Sequence, residues 1–218
     1  MKVIIIGAGG HARVVYECLR YDKNLEVVAF IDNVEGDESE LIMNIPVLGP
    51  HSVINDLIKK GVKGFIVAVG DNQIRGKHFK HFQEMGLIPI NAIHPTAKIA
   101  YNVKIGKGVC IGINAIVNTN ATIENNCIVN TGSIVEHEVQ IGKNVHIAPG
   151  TAVAGRVKIK DGTFIGIGSV IKEYLTIGEN VIIGAGSVVL KDIPDNVVVG
   201  GSPAKIIKEN DKGVINNG

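Results

Sequence analysis

The chain has 218 residues, with 22 basic and 21 acidic side chains and a formal net charge of +1. So even a balance excludes a nucleic-acid binder working by bulk electrostatics, and no apolar run approaches the ~20 residues of a membrane span. The length allows one large or two small domains. Lys2 leads directly into an apolar strand and a glycine turn, not into a signal peptide, so the expectation is a cytoplasmic protein. Cys18, Cys110 and Cys127 form neither a metal spacing nor a disulfide framework, and no metal is expected.

The first ninety residues alternate strand and helix. Lys2–Ile6 is a short apolar strand, and Gly7-Ala8-Gly9-Gly10-His11-Ala12 a glycine turn. His11–Tyr21 reads as a helix with Val14, Val15, Cys18 and Leu19 on one face. Val27–Ile31 is a second strand ending at Asp32-Asn33, and Ile45–Leu48 a short extended segment. Ser52–Lys60 reads as a helix with Ser52 as N-cap. Phe65–Val69 is a third strand, and Ile74–Met85 a helix with Gly86 as C-cap. This order predicts a small parallel α/β sheet of Rossmann type over residues 1–90.

From Ile93 to Val189 every sixth residue is isoleucine or valine. A period of six fits neither a helix nor an ordinary strand. It is the mark of a parallel β-helix of hexapeptide repeats, with one branched aliphatic per hexad pointing into the axis. Three hexads make an eighteen-residue coil, so residues 91–209 are expected to form this second domain and to hold between five and six coils. The fifth hexad position is mostly small or aliphatic, as at Val109, Ala115, Ala121 and Cys127. Glycine often follows the aliphatic, as at Gly106, Gly112, Gly142, Gly166, Gly178 and Gly184. Glycine there is expected to supply the backbone angles of the corners. Residues 210–218 carry no pattern and are expected to fray.

The turn Gly7-x-Gly9-x-x-Ala12 follows a strand and opens a helix, the context in which backbone N–H groups attract a phosphate. Asp32, at the end of the second strand, is placed to accept from a ribose hydroxyl. Alone, these features suggest a nicotinamide dinucleotide. Ninety residues hold only one mononucleotide-binding half, which favours a nucleoside diphosphate carried by a sugar. A turn without a ligand is the competing reading. His11, at the helix start, could touch phosphate or sugar, or be merely solvated.

In the repeat, His137 stands between Glu136 and Glu138. A carboxylate on one ring nitrogen fixes the tautomer and leaves the other free to take a proton, as a general base requires. His137 is expected on a strand. Only one of the two glutamates is expected to pair with the ring, and the spacing leaves open which one. A solvated charged patch is the alternative. His146 lies nine residues on, half a coil, and so on the opposite side of the prism. The two histidines can share a site only if different subunits supply them, as about a trimer axis.

The chain resembles the nucleotide-sugar acetyltransferases of the PglD/NeuD type, members of the left-handed β-helix superfamily. The resemblance rests on Gly7–Ala12, Phe30-Ile31-Asp32-Asn33, Ile45–Gly49, Val69–Arg75, Val129-Asn130-Thr131, Val135–Glu138 and Gly200–Lys205. It implies a homotrimer with acetyl-CoA in the groove between neighbouring solenoids. It implies that His137 is the base, Glu138 the residue that polarises it, and Asn130 a site residue near the reacting amine. His146, Gly155 and Ile167 become acetyl-CoA contacts. Gly9, Gly10, His11, Asp32, Asn33 and Gly70 would hold the nucleotide sugar. The implied reaction is direct N-acetylation of a UDP-4-amino-4,6-dideoxy sugar. O-acetylation of a sialic acid, a nicotinamide-dependent oxidoreductase and a non-catalytic scaffold are the alternatives.

Overall fold

The computed structural model describes residues 1–32, 41–49 and 51–210. Its first sheet contains β1 (Lys2–Ile6), β2 (Glu26–Ile31), β3 (Leu41–Ile42), β4 (Ile45–Leu48), β5 (Val62–Val67) and β6 (Ile88–Pro89), in the spatial order β3-β4-β2-β1-β5-β6. All neighbouring pairs are parallel except β3 with β4. β1 is apolar and buried from Val3 to Ile6 because both its faces are covered there. Val3 and Ile5 pack with Ala12, Val15, Cys18 and Leu19 of α1 (Gly10–Leu19). Ile4 and Ile6 pack with Ile54 of α2 (Ile54–Lys59) and with Phe79 and Phe82 of α3 (Asn72–Glu84).

Two helix starts differ from expectation. Ser52 lies inside a 3₁₀ turn, His51–Val53, and α2 begins after it from Val53 with no side-chain cap. α3 begins two residues earlier than the apolar periodicity suggests, because Asp71 caps it, accepting from Gln73 N at 2.9 Å and Ile74 N at 3.0 Å. Gly86 follows the C-cap residue Met85 at φ +86°, where a side chain would be strained.

From Ala92 the chain winds into seventeen two-residue strands, one per hexad, ending at Val188–Val189. They stack in three parallel sheets, and each residue pairs with the one eighteen positions on, as Cys110 with Ile128 and Ile128 with His146. Ile111, Val117, Val129, Val135, Ile147, Val153, Ile165, Ile171, Ile177, Ile183 and Val189 point inward and are wholly buried. Ile99 is 38% exposed because it belongs to the first coil, which has no coil beneath it.

The glycines after the aliphatics serve a different purpose from the one expected. None has a left-handed backbone; the corners are turned by Asn114, Asn120, Asn126 and Asn144, by Gly132, Gly150 and Gly168, and by their equivalents. Gly112 and Gly142 are required by close approach: a Cβ there would lie 2.9 Å from Thr131 N and 2.8 Å from Asp161 N of the next coil.

The three faces differ on the outside. On the first, Ala92, Cys110, Ile128 and His146 are buried, the first three packed in one cluster with α1. On the third, Lys104, Thr122, Gln140, Lys158 and Thr176 form a polar column. On the second, the column is Lys98, Ile116, Ile134, Ala152, Val170 and Val188, apolar beyond its first member, with Ile116 39% and Val170 47% exposed. All three cysteines are buried, and burial pushes the Cys127 thiol up to about 12.

Gly142→Ala is expected to lower the unfolding free energy by about 1–3 kcal/mol, the cost of overpacking. Urea denaturation of the variant beside the parent protein measures it, and an unchanged midpoint would contradict the steric role.

Candidate active site

Most of the sequence-predicted site residues gather in two places on opposite sides of the prism. The first lies where the N-terminal sheet meets the first face. His146 projects outward from the strand His146–Ile147, with Nδ1 3.5 Å from Gly70 O and Nε2 3.3 Å from Asn130 Nδ2. Phe164, one coil on, meets the ring edge-on at 5.1 Å between centroids, and the His11 ring lies at 6.1 Å. His11 Nε2 is buried with no hydrogen-bond partner among the described residues. Burial, and secondarily the Arg75 charge, lowers His11 to about 4 and His146 to about 3, so both rings are neutral at physiological pH.

The glycine turn opens on the same region. Gly7 is needed for the turn itself: its φ is +106°, and a Cβ would meet Ala68 O at 3.0 Å. Gly9 and Gly10 have no such need, for no atom lies within 4 Å of where their Cβ atoms would be. Gly9 is the cap of α1 and Gly10 its first residue, so this clear space lies in front of a helix N-terminus. Asp32 has a structural task the sequence did not show: its Oδ2 accepts from Ala8 N at 2.9 Å and pins the turn to β2. Gly70 is equally open, and borders a cavity of about 200 Å³ whose walls include Asp71, Asn72, Phe164 and Ile182. Asn33 lies outside the described residues.

The second place is the corner between the second and third faces. His137 and Glu138 occupy a two-residue turn, not the strand that was expected, and Glu138 turns the corner at φ +60°. Glycine or asparagine more often fills such positions, and Arg156 and Tyr174 repeat the departure in the next two coils. Glu138 Oε2 lies 3.2 Å from His137 Nδ1 and accepts from Arg156 Nε at 2.7 Å. Those two contacts, hydrogen bonds from Arg156 first and then His137, hold the Glu138 carboxyl below its ordinary range. Glu136 is engaged elsewhere, accepting from Asn118 Nδ2 at 2.9 Å. With Nδ1 facing a carboxylate, the proton sits on Nδ1 and Nε2 is left as the acceptor.

Gly155 sits one coil beyond His137, and a Cβ on it would lie 2.5 Å from His137 Nε2. Ile167 is 57% exposed, beside Gly168 on the corner between the first and second faces. That corner carries Gly132, Gly150, Gly168 and Gly186 in one column, each at φ between 63° and 67° and each with nothing near its Cβ position. His146 is grouped with His11, Gly70 and Asn130, and Gly155 with His137, while Ile167 stands on the Asn130 corner two coils further along. Sequence reasoning assigned nothing to Arg75, Arg156 or Asn118. Arg75 left a signal: it shares the buried face of α3 with Phe79 and Phe82, at helical spacing, where a charge has no ordinary reason to be.

Comparison with known proteins identifies the fold and the family. Residues 2–82 match the PglD N-terminal domain family, and residues 120–155 and 156–191 match the bacterial transferase hexapeptide family. PerB from Caulobacter crescentus, solved in complex with CoA and GDP-perosamine, is 37% identical with a TM-score of 0.89, covering 94% of this chain and 97% of that one. The acetyltransferase domain of PglB from Neisseria gonorrhoeae, in complex with acetyl coenzyme A, is 31% identical with a TM-score of 0.85, covering 94% of this chain and 98% of the other. WeeI from Acinetobacter baumannii is 27% identical with a TM-score of 0.83, covering 95% and 100%. An uncharacterised protein, L142, of Acanthamoeba polyphaga mimivirus is 34% identical over 109 residues, and the match spans only 20% of its length. An α/β domain of this type on a hexapeptide β-helix defines an acyltransferase, which removes the oxidoreductase reading of the glycine turn. The chain belongs to the sugar acetyltransferase family built from a PglD-type N-terminal domain and hexapeptide repeats.

The neutral histidines make stability depend on pH. The unfolded chain protonates both near 6.5 and the folded chain only near 4 and 3, so the unfolded state binds more protons between these limits. Stability is therefore expected to fall as pH drops from about 6.5 towards 4, by about 1.4 kcal/mol per pH unit for each histidine. Urea midpoints across this range should show it, with a shallower slope in His146→Asn. Equal slopes in variant and parent would contradict the assignment.

Proposed function

We propose that the protein transfers the acetyl group of acetyl-CoA to the amino group of a nucleotide-linked amino sugar. The acceptor we propose is a UDP-4-amino-4,6-dideoxy sugar, and the site is shared between chains of a homotrimer. The reading is carried by one observation: His137 has Nδ1 held by Glu138 while Nε2 faces the space over Gly155. The co-substrates are suggested by relatives that hold CoA with GDP-perosamine, or acetyl coenzyme A. The choice of uridine rests on the resemblance alone, and the guanosine-linked sugar in PerB makes GDP-sugars its direct competitor.

The trimer is argued from the second face. It is an apolar face whose Ile116 and Val170 no described residue covers fully, at 39% and 47% exposed, and it is flanked by the corners that carry His137 and Asn130. Packing this face about a three-fold axis brings the His137 corner of one chain towards the Asn130 corner of the next. The bare glycine column then faces Glu138, Arg156 and Tyr174 across a groove. A strip of four such glycines, at the ~4.8 Å spacing of stacked strands, extends over about 14 Å and leaves room for an extended thioester arm.

The neutral sugar amine attacks the thioester carbonyl, forming the N–C bond, and His137 Nε2 takes the proton the nitrogen loses. Glu138 keeps the imidazolium oriented while it is charged. The tetrahedral oxyanion takes hydrogen bonds from backbone N–H groups of the coil. The C–S bond then breaks, and the proton held by His137 passes to the leaving thiolate. Both substrates are cytoplasmic metabolites, and we place the reaction there.

Thiol release from acetyl-CoA, measured with UDP-, GDP- and CMP-sugars with and without a 4-amino group, tests the reaction. His137→Ala should lower kcat about 10²–10⁴-fold, the usual range for a general base, and Gly155→Ala should do comparable damage by displacing the ring. Release only with hydroxyl acceptors would move the assignment to O-acetylation. The shared site has its own test. Co-assembled His137→Ala and His146→Ala chains should recover about a quarter of parental activity, because about one interface in four pairs the intact residues. No recovery would place the whole site within one chain.

A further inference from the structure

Arg75 is 1% exposed and lies where α3 meets the coil. All five N–H groups of its guanidinium are used. Nε donates to Asn126 O at 3.0 Å, Nη1 to Val69 O and Gly70 O at 3.2 Å, and Nη2 to Asn72 Oδ1 and Asn144 O at 2.7 Å. Every acceptor is neutral. The acid whose charge acts on it, Asp71, is committed to capping α3. One side chain thus ties the loop after β5 to the corners of two successive coils. Burial lowers the group only to about 10, so it remains a cation.

Its contact with Gly70 reaches the site. The Gly70 carbonyl faces His146 Nδ1 as well, and a carbonyl can only accept, so the ring proton belongs on Nδ1. The other side of the ring agrees. Asn130 Oδ1 accepts from Thr131 N at 2.8 Å, which leaves Asn130 Nδ2 as the donor to His146 Nε2. The groups that face His146 are Gly70, Asn130, Phe164, His11 and the Arg75 charge, none of them acidic.

We propose that Arg75 is a positioning residue for acetyl transfer: it fixes the Gly70 carbonyl, which sets the tautomer of His146, which in turn orients the Asn130 amide. His146 with Nε2 occupied is no proton acceptor for the substrate. The link to transfer rests on the proposed function, but the hydrogen-bond relay does not depend on it. Lysine keeps the charge but has three donors in place of a five-donor fork, so it cannot hold the five acceptors together.

Histidine-selective ¹⁵N NMR, assigned with His146→Asn, reads the tautomer directly. The parent protein should show His146 protonated on Nδ1 and neutral from pH 8 down to pH 5. Arg75→Lys should populate both tautomers and lower kcat about 10–100-fold, as small displacements in a site do, with the KM for acetyl-CoA unchanged. A parent ring protonated on Nε2 or titrating near 6.5 overturns the proposal, whether or not Arg75→Lys folds. An Arg75→Lys protein with parental tautomer and rate overturns it also. If the tautomers behave as described but no sugar accepts acetyl, the relay stands and the proposed function fails.

Discussion

The structure depends on stacking in register at eighteen residues. Each inward isoleucine or valine lies on the one a coil below, and the backbone bonds run the same way, as from Ala92 N to Val109 O and from Cys110 N to Cys127 O. The aliphatic ladder cannot slip without exposing a whole column, so register is held by burial along the entire coil. Once register is fixed, every outward position also becomes a column. The polar third face, the apolar second face, the bare glycine corner and the Asn120–Glu138–Arg156–Tyr174 corner are all consequences of that one constraint.

The N-terminal half is seated by the same logic. Ala92, Cys110 and Ile128 give α1 a flat apolar column to pack on, and the next member of the column, His146, is the first polar one. It falls where the apolar seat ends and the Gly70 loop begins. Burial there keeps His11 and His146 uncharged, and the adjacent cation strengthens the effect. The two uncharged rings stand beside a helix N-terminus with two open glycines, a setting in which backbone N–H groups favour an anion.

What the sequence made legible was whatever a period could carry. The six-residue repeat predicts the coil because the geometry of a coil is periodic, and the alternation of strand and helix predicts the first sheet. Reasons for individual residues were harder. The glycines after the aliphatics were assigned to corner angles, yet their cause is a backbone in the neighbouring coil, a contact that no local pattern contains. Asp32 was assigned to a ligand because the loop it pins is distant in sequence. Arg75 went unassigned because its acceptors come from residues 69 to 144, gathered only when the two halves meet. The His137–Glu138 contact is legible because its members are adjacent, although Glu136 is equally adjacent and is drawn off by Asn118, while Arg156 holds Glu138, each a full coil away.

The two halves of the site also differ in solvent exposure, and this bears on why they are separated. The His11–His146 side is buried within one chain, whereas the His137 and Glu138 side chains are 48% and 43% exposed. An ion pair that open to water is screened and holds its geometry weakly. In the proposed trimer a neighbouring chain covers the corner, excludes water, and strengthens the contact on which the tautomer of His137 depends. Assembly of that kind would complete the proposed base as well as the pocket. A chain that folds alone would keep its coil, its seated N-terminal half and its neutral histidines, and would still lack a working site.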